Sequence, residues 1–410
     1  MLIDGRLAAL GAVAVGVTVT WLRKRGQQRN AAAAAKQRGR HGGVRLLPRG
    51  RLLPAKPDEV SLISYNILCQ RYANSRRLPH VFAQYLDPDY RWQRLQAELA
   101  SFGADLIALQ EVTVDRWLEL KEYMASLGYA AVVQARAAAN GSDFMLALFY
   151  RPQKLRLVWH EERSRVLLAC LAVEAEGPAQ GQMVWVANVH LEGSPYRPND
   201  RISQLRHGLQ RLEHHMGSRE AAEAADVIIC GDFNSEEQDS PCWLLRRGRL
   251  ERNHTDACCP QVPTTKETIS HPFALHEVYA ASSHRQPFTR KVGREHAVLD
   301  FLWCSRHMPI SAVMRPLQPE LRPLVDKCFL PNRWHPSDHL PIGAVVRVSP
   351  VGDARAAAEA AAHAATGRGG VVSPQDAEAA ASLNGNARSG SSSVVSSPRS
   401  DANGSDAHPA

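Results

Sequence analysis

The order of its apolar segments predicts an α/β fold with buried sheets for the middle of this 410-residue chain. Between residues 58 and 349, β-rich apolar runs alternate with amphipathic helical segments, and such alternation is typical of α/β domains. The runs are SLISYNIL (61–68), ADLIALQEV (104–112), MLALFY (145–150), MVWVANVHL (183–191), ADVIICGDF (225–233), LDFLWCS (299–305) and LPIGAVVRV (340–348). We therefore predict one α/β domain over residues 58–349.

Two of the intervening helices are predicted from the spacing of their apolar residues. In the first, apolar residues recur at intervals of three and four: Trp92, Leu95, Leu99 and Phe102. Asp89 is placed to cap the start of this helix. The second helix is expected after Asn199-Asp200 and repeats the pattern with Ile202, Leu205, Leu209, Leu212 and Met216. Each helix therefore has an apolar face that can cover a sheet.

The positive charge of the chain is concentrated in its first 57 residues. The whole chain carries +8, but residues 1–57 contain twelve Lys or Arg and one acid, so this leader is +11 and the remainder is −3. The basic character therefore belongs to the leader, and a nucleic-acid function has to be argued from a site and not from the overall charge.

The leader also contains a hydrophobic segment, residues 7–22, which is followed at once by three basic residues. A membrane-spanning helix usually needs about 20 residues, so this segment is short but long enough for a thin bilayer. It predicts a membrane-anchored protein whose domain lies in the cytoplasm, because a positive flank stays on that side. The alternative is an Ala- and Arg-rich presequence for the mitochondrion or chloroplast. Residues 26–57 are predicted as a linker, and the Ala- and Ser-rich residues 350–410 as a disordered tail.

The eight cysteines show no pattern of a metal site. No CxxC pair occurs, and no histidine lies at zinc-finger spacing from a cysteine. Several cysteines fall in apolar runs such as LLACLAV and VIICGDF. We predict buried free thiols and no disulfide framework.

Polar residues stand at the C-terminal ends of four predicted strands. These residues are Asn66, Glu111, His190 and the pair Asp232 and Asn234, and Asp300, Asp338 and His339 occur at or near the last two strands. Taken singly, each has an ordinary structural explanation as a cap, a solvated carboxylate or a core histidine. Strand ends that converge on one edge of a sheet are where α/β proteins place their sites. The ordered set therefore predicts an active site.

The residue types indicate a hard divalent cation beside a phosphate group. A set rich in carboxylates and poor in soft ligands favours Mg²⁺, with Mn²⁺ as the alternative. We assign Glu111, Asn66, Asp338 and Asp232 as metal ligands. Asp232 and Asn234 are suited to orienting the attacking water or a second metal ion, and the number of metal ions stays open. Such a cation would polarise the phosphate that is cleaved.

The two histidines are predicted to handle protons and phosphate charge. His339 is expected to pair with Asp300, because a nearby carboxylate fixes the tautomer and favours the protonated imidazole. That imidazole can activate water or stabilise phosphate charge. His190 is expected to donate to a non-bridging phosphate oxygen. Hydrolysis of a phosphodiester is the reaction that these roles predict.

Several of the same segments resemble the signature blocks of the endonuclease/exonuclease/phosphatase superfamily. The blocks are SYNILC (64–69), LQEV (109–112), NVHLEGSP (188–195), GDFN (231–234), the strand with Asp300 and PSDH (336–339). SYNILCQRYA, DPDYRWQRLQAEL and ADLIALQEV are similar to the catabolite-repressor-type deadenylase branch, with nocturnin, angel and the 2′,5′-phosphodiesterases. The resemblance implies a DNase I-like, four-layer α/β sandwich of two packed mixed β-sheets flanked by helices, with a Mg²⁺-dependent catalytic domain.

By resemblance, the function is that of a 3′-5′ exoribonuclease or deadenylase-like hydrolase that releases 5′-nucleotides from RNA. The first alternative is a phosphatase or phosphodiesterase of the same fold that acts on a small nucleotide, 2′,5′-oligoadenylate, a phosphoinositide or a sphingolipid. A second alternative is an inactive RNA-binding relative, which the presence of Glu111, Asp232 and His339 argues against. The leucine-rich repeats of the best-known deadenylases are absent from the sequence, so docking into a deadenylase complex is not expected.

The resemblance assigns substrate binding to Asn66, His190 and Pro195, the last matching a proline that lines a base pocket. The aromatic partner expected about five residues before Asp300 is replaced by Glu295. Base stacking on an aromatic ring contributes about 1–3 kcal/mol, so adenine preference is not implied unless Phe288 or His296 compensates. Asp143, in GSDF (141–144), is a weak match to a further site residue.

Overall fold

Two mixed β-sheets frame the residues that a computed structural model describes, which are 44–47, 56–284, 287–317, 320 and 322–350. The strands are β1 (Arg45–Leu47), β2 (Glu59–Asn66), β3 (Leu106–Thr113), β4 (Ala130–Val133), β5 (Phe144–Tyr150), β6 (Leu155–Arg163), β7 (Val166–Val173), β8 (Met183–His190), β9 (Asp226–Asp232), β10 (Arg249–Leu250), β11 (Ile269–Ser270), β12 (Leu275–Glu277), β13 (Arg290–Val292), β14 (Glu295–Ala297), β15 (Asp300–Ser305), β16 (Ile310–Met314) and β17 (Ile342–Arg347). The helices are α1 (Pro88–Phe102), α2 (Trp117–Ser126), α3 (Ala135–Ala139), α4 (Pro198–Met216), α5 (Arg219–Ala224), α6 (Ser240–Arg247), α7 (Val278–Ala281) and α8 (Arg322–Cys328).

Each large sheet has a parallel pair of strands at its centre. The first sheet has the order β1-β16-β17-β2-β3-β5-β4, and the second has the order β12-β15-β9-β8-β7-β6. β2 runs parallel to β3, and β8 runs parallel to β9 with His190 opposite Asp232. Parallel neighbours end at the same edge of a sheet. The ends of these four strands therefore bring the predicted polar residues to one edge of each sheet.

The core lies between the two sheets and on their outer faces. Between the sheets, Leu62 and Leu106 of the first pack in one buried cluster with Val186 and Ile228 of the second. On the outside, helices α1 and α2 share a cluster with β2 and β3, and helices α4 and α6 share one with β8 and β9. The layers are therefore helix, sheet, sheet and helix. The predicted four-layer α/β sandwich is confirmed.

A buried polar contact joins the two sheets. Gln110 Nε2 donates to Asn188 Oδ1 at 2.8 Å, and Asn188 Nδ2 donates to the carbonyl oxygens of Leu109 and Ala147, each at 3.0 Å. Gln110 and Asn188 are fully buried. A buried polar group left without a partner costs about 1–3 kcal/mol, so these bonds hold the two sheets in one relative position. Gln110 directly precedes Glu111, so the contact lies just below the predicted site.

The seven predicted strands are all present, and their observed ends lie within a few residues of the predicted ones.

The capping prediction is wrong. The side chain of Asp87, not of Asp89, caps helix α1 by accepting from the N–H groups of Asp89 at 3.1 Å and Tyr90 at 2.9 Å. Pro88 explains this start, because its fixed φ suits the first helical position. Helix α4 likewise begins at Pro198, before the predicted Asn199-Asp200. The described cysteines are free thiols, and five of them are buried as predicted, whereas Cys258 is exposed and Cys259 is partly exposed.

The localisation prediction is contradicted. Within the described part of the chain, no helix has the length and apolar character needed to cross a membrane. The segment 7–22 and the predicted tail beyond residue 350 lie outside the described residues. Neither the membrane-anchored protein with a cytoplasmic domain nor the organellar alternative is retained. Part of the predicted linker 26–57 forms strand β1, which pairs in parallel with β16 at the edge of the first sheet.

Candidate active site

A cleft of about 700 Å³ opens where the central strands of both sheets end. Its lining includes most of the predicted site residues: Glu111, His190, Pro195, Asp232, Asn234, Asp338 and His339. Asn66 and Asp300 lie directly behind this lining, and their exposed fractions are 0% and 3%. The structure therefore gathers residues from strand ends far apart in the sequence into one cleft.

Glu111 reaches the cleft through an irregularity in strand β3. The pairing of β3 with β5 shifts register between Leu109 and Val112, and Glu111 has a φ of +57°. A left-handed backbone costs a non-glycine residue about 1–2 kcal/mol, and such strain concentrates at functional sites. The Cys69 N–H donates to Glu111 Oε2 at 2.7 Å and helps to hold this conformation. A regular strand would place this carboxylate differently.

Asn66 connects the carboxylates of the two sheets. Its Nδ2 donates to Glu111 Oε1 and to Asp232 Oδ2, each at 3.0 Å. Its Oδ1 accepts from the Leu68 N–H at 3.0 Å, which fixes the orientation of the amide. In this geometry the amide nitrogen of Asn66 positions both carboxylates. Metal ligation by its oxygen stays a prediction, because an amide oxygen has a second lone pair.

Asp232, Asp300 and His339 form a buried network. His339 Nδ1 donates to Asp300 Oδ2 at 2.8 Å, and His339 Nε2 lies 3.6 Å from Asp232 Oδ2. Burial alone lowers the pKa of His339, but the charges of Asp300 and Asp232 outweigh it and raise that pKa to about 10. Burial raises the pKa of Asp232 to about 7. His339 is therefore a protonated donor at neutral pH.

His190 is held neutral in the same cleft. Its Nε2 lies 3.7 Å from Glu111 Oε1 and 3.7 Å from Asp232 Oδ2. Burial, followed by the positive charges of Arg165 and His339, lowers the pKa of His190 well below its usual range. A neutral imidazole still carries one N–H, so His190 can donate a hydrogen bond without adding charge.

Glu111 and Asp338 have the features of a divalent-cation site. Burial and then the charge of Asp338 raise the pKa of Glu111. Asp338 Oδ1 is buried and has no hydrogen-bond partner among the described residues, and its Oδ2 lies 3.5 Å from Arg290 Nε. A cation with oxygen ligands would suit this place, because it would relieve the repulsion between Glu111 and Asp338 and would give Asp338 Oδ1 a partner. Acidic residues that could hold a divalent cation are therefore present.

A second grouping in the cleft is close enough to hold an ion but does not suit one. Ligand atoms of Asp232, Asp300 and His339 lie within 4.8 Å of one another. The Nδ1 of His339 is bonded to Asp300, and its imidazole is protonated at neutral pH. A metal ligand must be deprotonated, so a cation at these three residues would have to displace the proton of His339, whereas one beside Glu111 and Asp338 would not.

The loops that carry these residues are tied together by Arg91. Its Nη2 donates to the carbonyl oxygens of Ile67 and Leu68, and its Nε donates to the carbonyl oxygen of Pro336 at 2.8 Å. The Ser337 hydroxyl donates to the carbonyl oxygen of Asn66 at 2.7 Å. These bonds fix the segment before Asp338 against the end of β2. Sequence reasoning missed Arg91, although its position four residues before Leu95 on the apolar face of α1 was a signal.

The remaining predicted residues lie at the margin of the cleft. The Asn234 N–H donates to Asp232 Oδ1 at 2.9 Å, and its Nδ2 donates to the carbonyl oxygen of Leu191 at 2.9 Å. Pro195 is exposed at the rim. Asp143 lines a neighbouring cleft, where it pairs with Arg71 at 2.6 Å.

The residues considered as aromatic substitutes do not line the active-site cleft. Glu295 is exposed on strand β14, opposite Val292, which does line it. Phe288 has an exposed fraction of 2% and is too buried to stack on a base. His296 is exposed. The sequence also missed Phe144, Tyr72 and Arg165, which lie in loops or at strand starts and become site residues only through folding.

Comparisons with known proteins identify the family. The profile of the Endonuclease/Exonuclease/phosphatase family matches residues 63–339. The CCR4-Not complex 3′-5′-exoribonuclease subunit Ccr4 of Kluyveromyces lactis is 27% identical over 324 residues, which cover 70% of this chain and 40% of that protein. The 2′,5′-phosphodiesterase 12 of Mus musculus is 27% identical over 322 residues, which cover 68% of this chain and 50% of that protein. The chain thus spans half or less of the length of these two relatives.

A solved structure shows the same fold. The crystal structure of ANGEL2, a 2′,3′-cyclic phosphatase, in complex with adenosine-2′,3′-vanadate has a TM-score of 0.60 and 23% identity, and the match covers 71% of this chain and 96% of that one. The predicted superfamily and its deadenylase-like branch are confirmed. The family match extends over more than half of the chain and includes most of the cleft. The chain therefore belongs to the Endonuclease/Exonuclease/phosphatase family, whose members are phosphodiester-hydrolysing nucleases and phosphatases.

Proposed function

We propose that this chain is a Mg²⁺-dependent phosphodiesterase, with Mn²⁺ as an alternative ion, that removes 5′-nucleotides from the 3′ end of RNA. The observation that carries the proposal is the combination, in one cleft, of the Glu111–Asp338 pair with Asp232 and two histidines in opposite charge states. The similarity to the Ccr4 exoribonuclease subunit supports RNA as the substrate class.

In this proposal the carboxylates of Glu111 and Asp338 hold the cation, with Asp232 as the third acidic group nearby. A bound Mg²⁺ would neutralise negative charge on the scissile phosphate and polarise it. Asn66 keeps Glu111 and Asp232 at a fixed separation, because it donates to both at 3.0 Å. Removing this amide would leave two buried carboxylates without their shared donor.

The remaining residues handle the proton and the phosphate oxygens. Asp232, whose pKa is raised to about 7, accepts a proton from the attacking water, which Asn234 helps to orient. Protonated His339, held by Asp300, donates to the phosphate as negative charge builds up on it. The bond from phosphorus to the 3′ oxygen of the shortened RNA breaks, and that oxygen takes a proton from solvent water. Neutral His190 donates to a non-bridging oxygen. Preorganised donors of this kind stabilise the transition state without rearrangement.

A second candidate function is hydrolysis of 2′,5′-oligoadenylate or a small nucleotide. The similarity to the mouse 2′,5′-phosphodiesterase favours it. The phosphoinositide and sphingolipid alternatives gained weight from the predicted membrane anchor, which is contradicted, and they are not carried further.

The test is hydrolysis of 5′-labelled oligonucleotides by the full-length chain with Mg²⁺. The substrates are oligoadenylates with 3′,5′ linkages, oligoadenylates with 2′,5′ linkages, and oligouridylate, each also given to the Glu111→Gln variant. We expect stepwise shortening of the 3′,5′-linked RNA from its 3′ end with release of 5′-AMP, and none in the variant. Shortening of the 2′,5′-linked substrate alone would replace the first proposal by the second. No shortening of any substrate by the wild-type chain would contradict both.

A further inference from the structure

A second cleft of about 610 Å³ adjoins the active-site cleft. The two clefts share Tyr72, Phe144, Arg165 and His190, which form the wall between them. On one side, this wall borders the cleft that contains the catalytic carboxylates. On the other side, it borders the cleft lined by α3, its flanking loops and the end of β6. A mononucleotide needs only one of these clefts, so the second requires its own explanation.

The shared wall is built from aromatic rings and guanidinium groups. The Phe144 ring lies 5.1 Å from the His190 ring and 5.9 Å from the Tyr72 ring, centroid to centroid. The guanidinium carbon of Arg165 lies 5.5 Å from the Phe144 centroid, and that of Arg77 lies 4.4 Å from the Tyr72 centroid. Tyr72, Phe144 and Arg165 are all partly exposed. Aromatic faces beside cations are the usual surface for single-stranded nucleic acid.

The charges of the second cleft favour a phosphate group. Its basic side chains are Arg136, Arg163, Arg165 and His207, and its acidic ones are Asp143 and Glu162. Both acids are already engaged, Asp143 by Arg71 at 2.6 Å and Glu162 by the Arg136 N–H at 2.8 Å. Among the described residues, the one ion pair of Arg165 is a contact of 3.5 Å with Glu192, and its carbonyl oxygen accepts from the backbone N–H of His190 at 3.0 Å. Arg165 is thus fixed beside a catalytic histidine with its charge incompletely neutralised.

We propose that the second cleft is a subsite for the next nucleotide of an RNA chain, so that the substrate is a single-stranded oligonucleotide that occupies both clefts. The proposal rests on the proposed function and specifies its substrate class. The base of this nucleotide packs against the wall of Tyr72 and Phe144, and Arg165 contacts the phosphate that links the two nucleotides. This subsite supplies stacking at a position different from Glu295, where the sequence lacks an aromatic residue.

The test pairs a protein variant with a substrate that lacks one base. An adenylate hexanucleotide is compared with versions that are abasic at the first, second or third position from the 3′ end. Each is hydrolysed by the wild-type chain and by the Tyr72→Ala, Tyr72→Phe and Arg165→Gln variants. Tyr72 is chosen over Phe144 because Phe144 contacts His190 directly. Arg156→Gln is the matched control, since Arg156 lies on β6, pairs with Glu174 at 2.7 Å and lines neither cleft.

We expect removal of the second base to lower wild-type kcat/KM by about 5- to 100-fold, mainly through KM, as loss of one stacked base should. In Tyr72→Ala, kcat/KM for the intact substrate falls by the same factor. For the substrate that is abasic at the second position, kcat/KM falls no further, because the missing base and the missing ring are partners in one contact. Tyr72→Phe restores the wild-type pattern, and Arg156→Gln does not change it. Arg165→Gln lowers kcat/KM for all the substrates, because the phosphate that links the two nucleotides is the one that is cleaved.

Equal abasic penalties in the wild-type chain and in Tyr72→Ala at all three positions would overturn the subsite. Thermal unfolding of each variant shows that its fold is intact. The proposed function fails in a different way, because then the wild-type chain hydrolyses neither the intact hexanucleotide nor its abasic versions.

Discussion

Glu111 and Asp338 on one side of the cleft, and Asp232 and Asp300 on the other, are pairs of carboxylates with different counter-charges. At the edge of the first pair, Arg290 Nε lies 3.5 Å from Asp338 Oδ2. Burial and repulsion by Asp338 raise the pKa of Glu111, and the charge of His339 offsets this only in part. The second pair has the imidazole of His339 between its members. We therefore expect an added cation beside Glu111 and Asp338, whereas His339 supplies a positive charge between Asp232 and Asp300.

The difference follows from how the sheets meet. Glu111 comes from β3 of the first sheet, and Asp338 from the loop before β17 of the same sheet. Asp232 and Asp300 lie directly opposite each other on β9 and β15 of the second sheet. Asn66 joins the two sides through hydrogen bonds to Glu111 and Asp232. We call the Glu111–Asp338 pair the cation side and the Asp232–Asp300 pair the proton side. The predictions below test the two sides one at a time.

The largest effect is expected on the cation side. Glu111→Gln keeps the size of the side chain but removes the charge that would hold the cation. A metal ion contributes several kcal/mol to transition-state stabilisation, so kcat on oligoadenylate should fall by about 10³-fold. Thermal unfolding should show a retained fold. Activity within tenfold of wild type at saturating Mg²⁺ would show that Glu111 does not hold the ion.

On the proton side, Asp300→Asn should lower kcat/KM by about 10²-fold, the lower range for loss of acid–base assistance. The charge of Asp300 helps to raise the pKa of His339 to about 10. Without that charge the pKa of His339 falls, so the protonated imidazole is lost at a lower pH. The alkaline limb of the kcat/KM profile should therefore move to lower pH in the variant. A profile with an unmoved alkaline limb would contradict this role of the pair.

The sequence predicted the fold and most of the residues that line the active-site cleft, because both follow from local patterns. Apolar runs defined the strands, and polar residues at their ends defined the cleft. It also predicted that His339 pairs with Asp300, 39 positions away, and the two side chains are in contact. It did not predict that Asp232 lies 3.6 Å from the same imidazole. The register shift at Glu111 was also invisible, because it arises from pairing with β5.

The capping error at α1 and the missed wall of the second cleft have similar causes. Pro88 decides the first turn of α1, and Asp89 instead pairs with Arg116 at 2.6 Å from another element. Tyr72 and Phe144 lie 72 positions apart in the sequence and share no motif, so only folding places their rings 5.9 Å apart. Distant contacts of this kind leave no periodic signal in one sequence.

A smaller effect is expected from changing the contact between Gln110 and Asn188, which joins the two sheets below the cleft. Asn188→Leu removes the donor to Leu109 and Ala147 and the shortest hydrogen bond of Gln110 Nε2, which keeps only the longer contacts with Ser64 Oγ at 3.2 Å and the Ala108 carbonyl oxygen at 3.3 Å. We expect a loss of about 1–3 kcal/mol in the free energy of unfolding, measured by urea denaturation. Gln110→Leu combined with Asn188→Leu should cost less than the two single changes added together. Strictly additive losses would show that the two side chains do not act as a pair.

The smallest effect is expected at the rim, away from both sides. Glu295→Phe restores an aromatic residue beside Val292, which lines the cleft. KM for oligoadenylate should fall about fivefold, near the lower limit for stacking one base, while kcat stays unchanged. Glu295→Gln is the matched control that removes only the charge. An equal fall in KM with Gln would attribute the gain to electrostatics and not to stacking.

Calorimetric titration of the full-length chain with Mn²⁺ tests the division of the cleft most directly. The wild-type chain, Glu111→Gln and Asp300→Asn are titrated at one neutral pH, without substrate. Residues that only support metal ligands change affinity by about 10- to 100-fold, so loss of a ligand should cost at least that much. We predict that Glu111→Gln weakens Mn²⁺ binding by more than about 100-fold and that Asp300→Asn leaves it within about threefold of wild type. Equal losses in both variants, or unchanged binding in Glu111→Gln, would contradict the account.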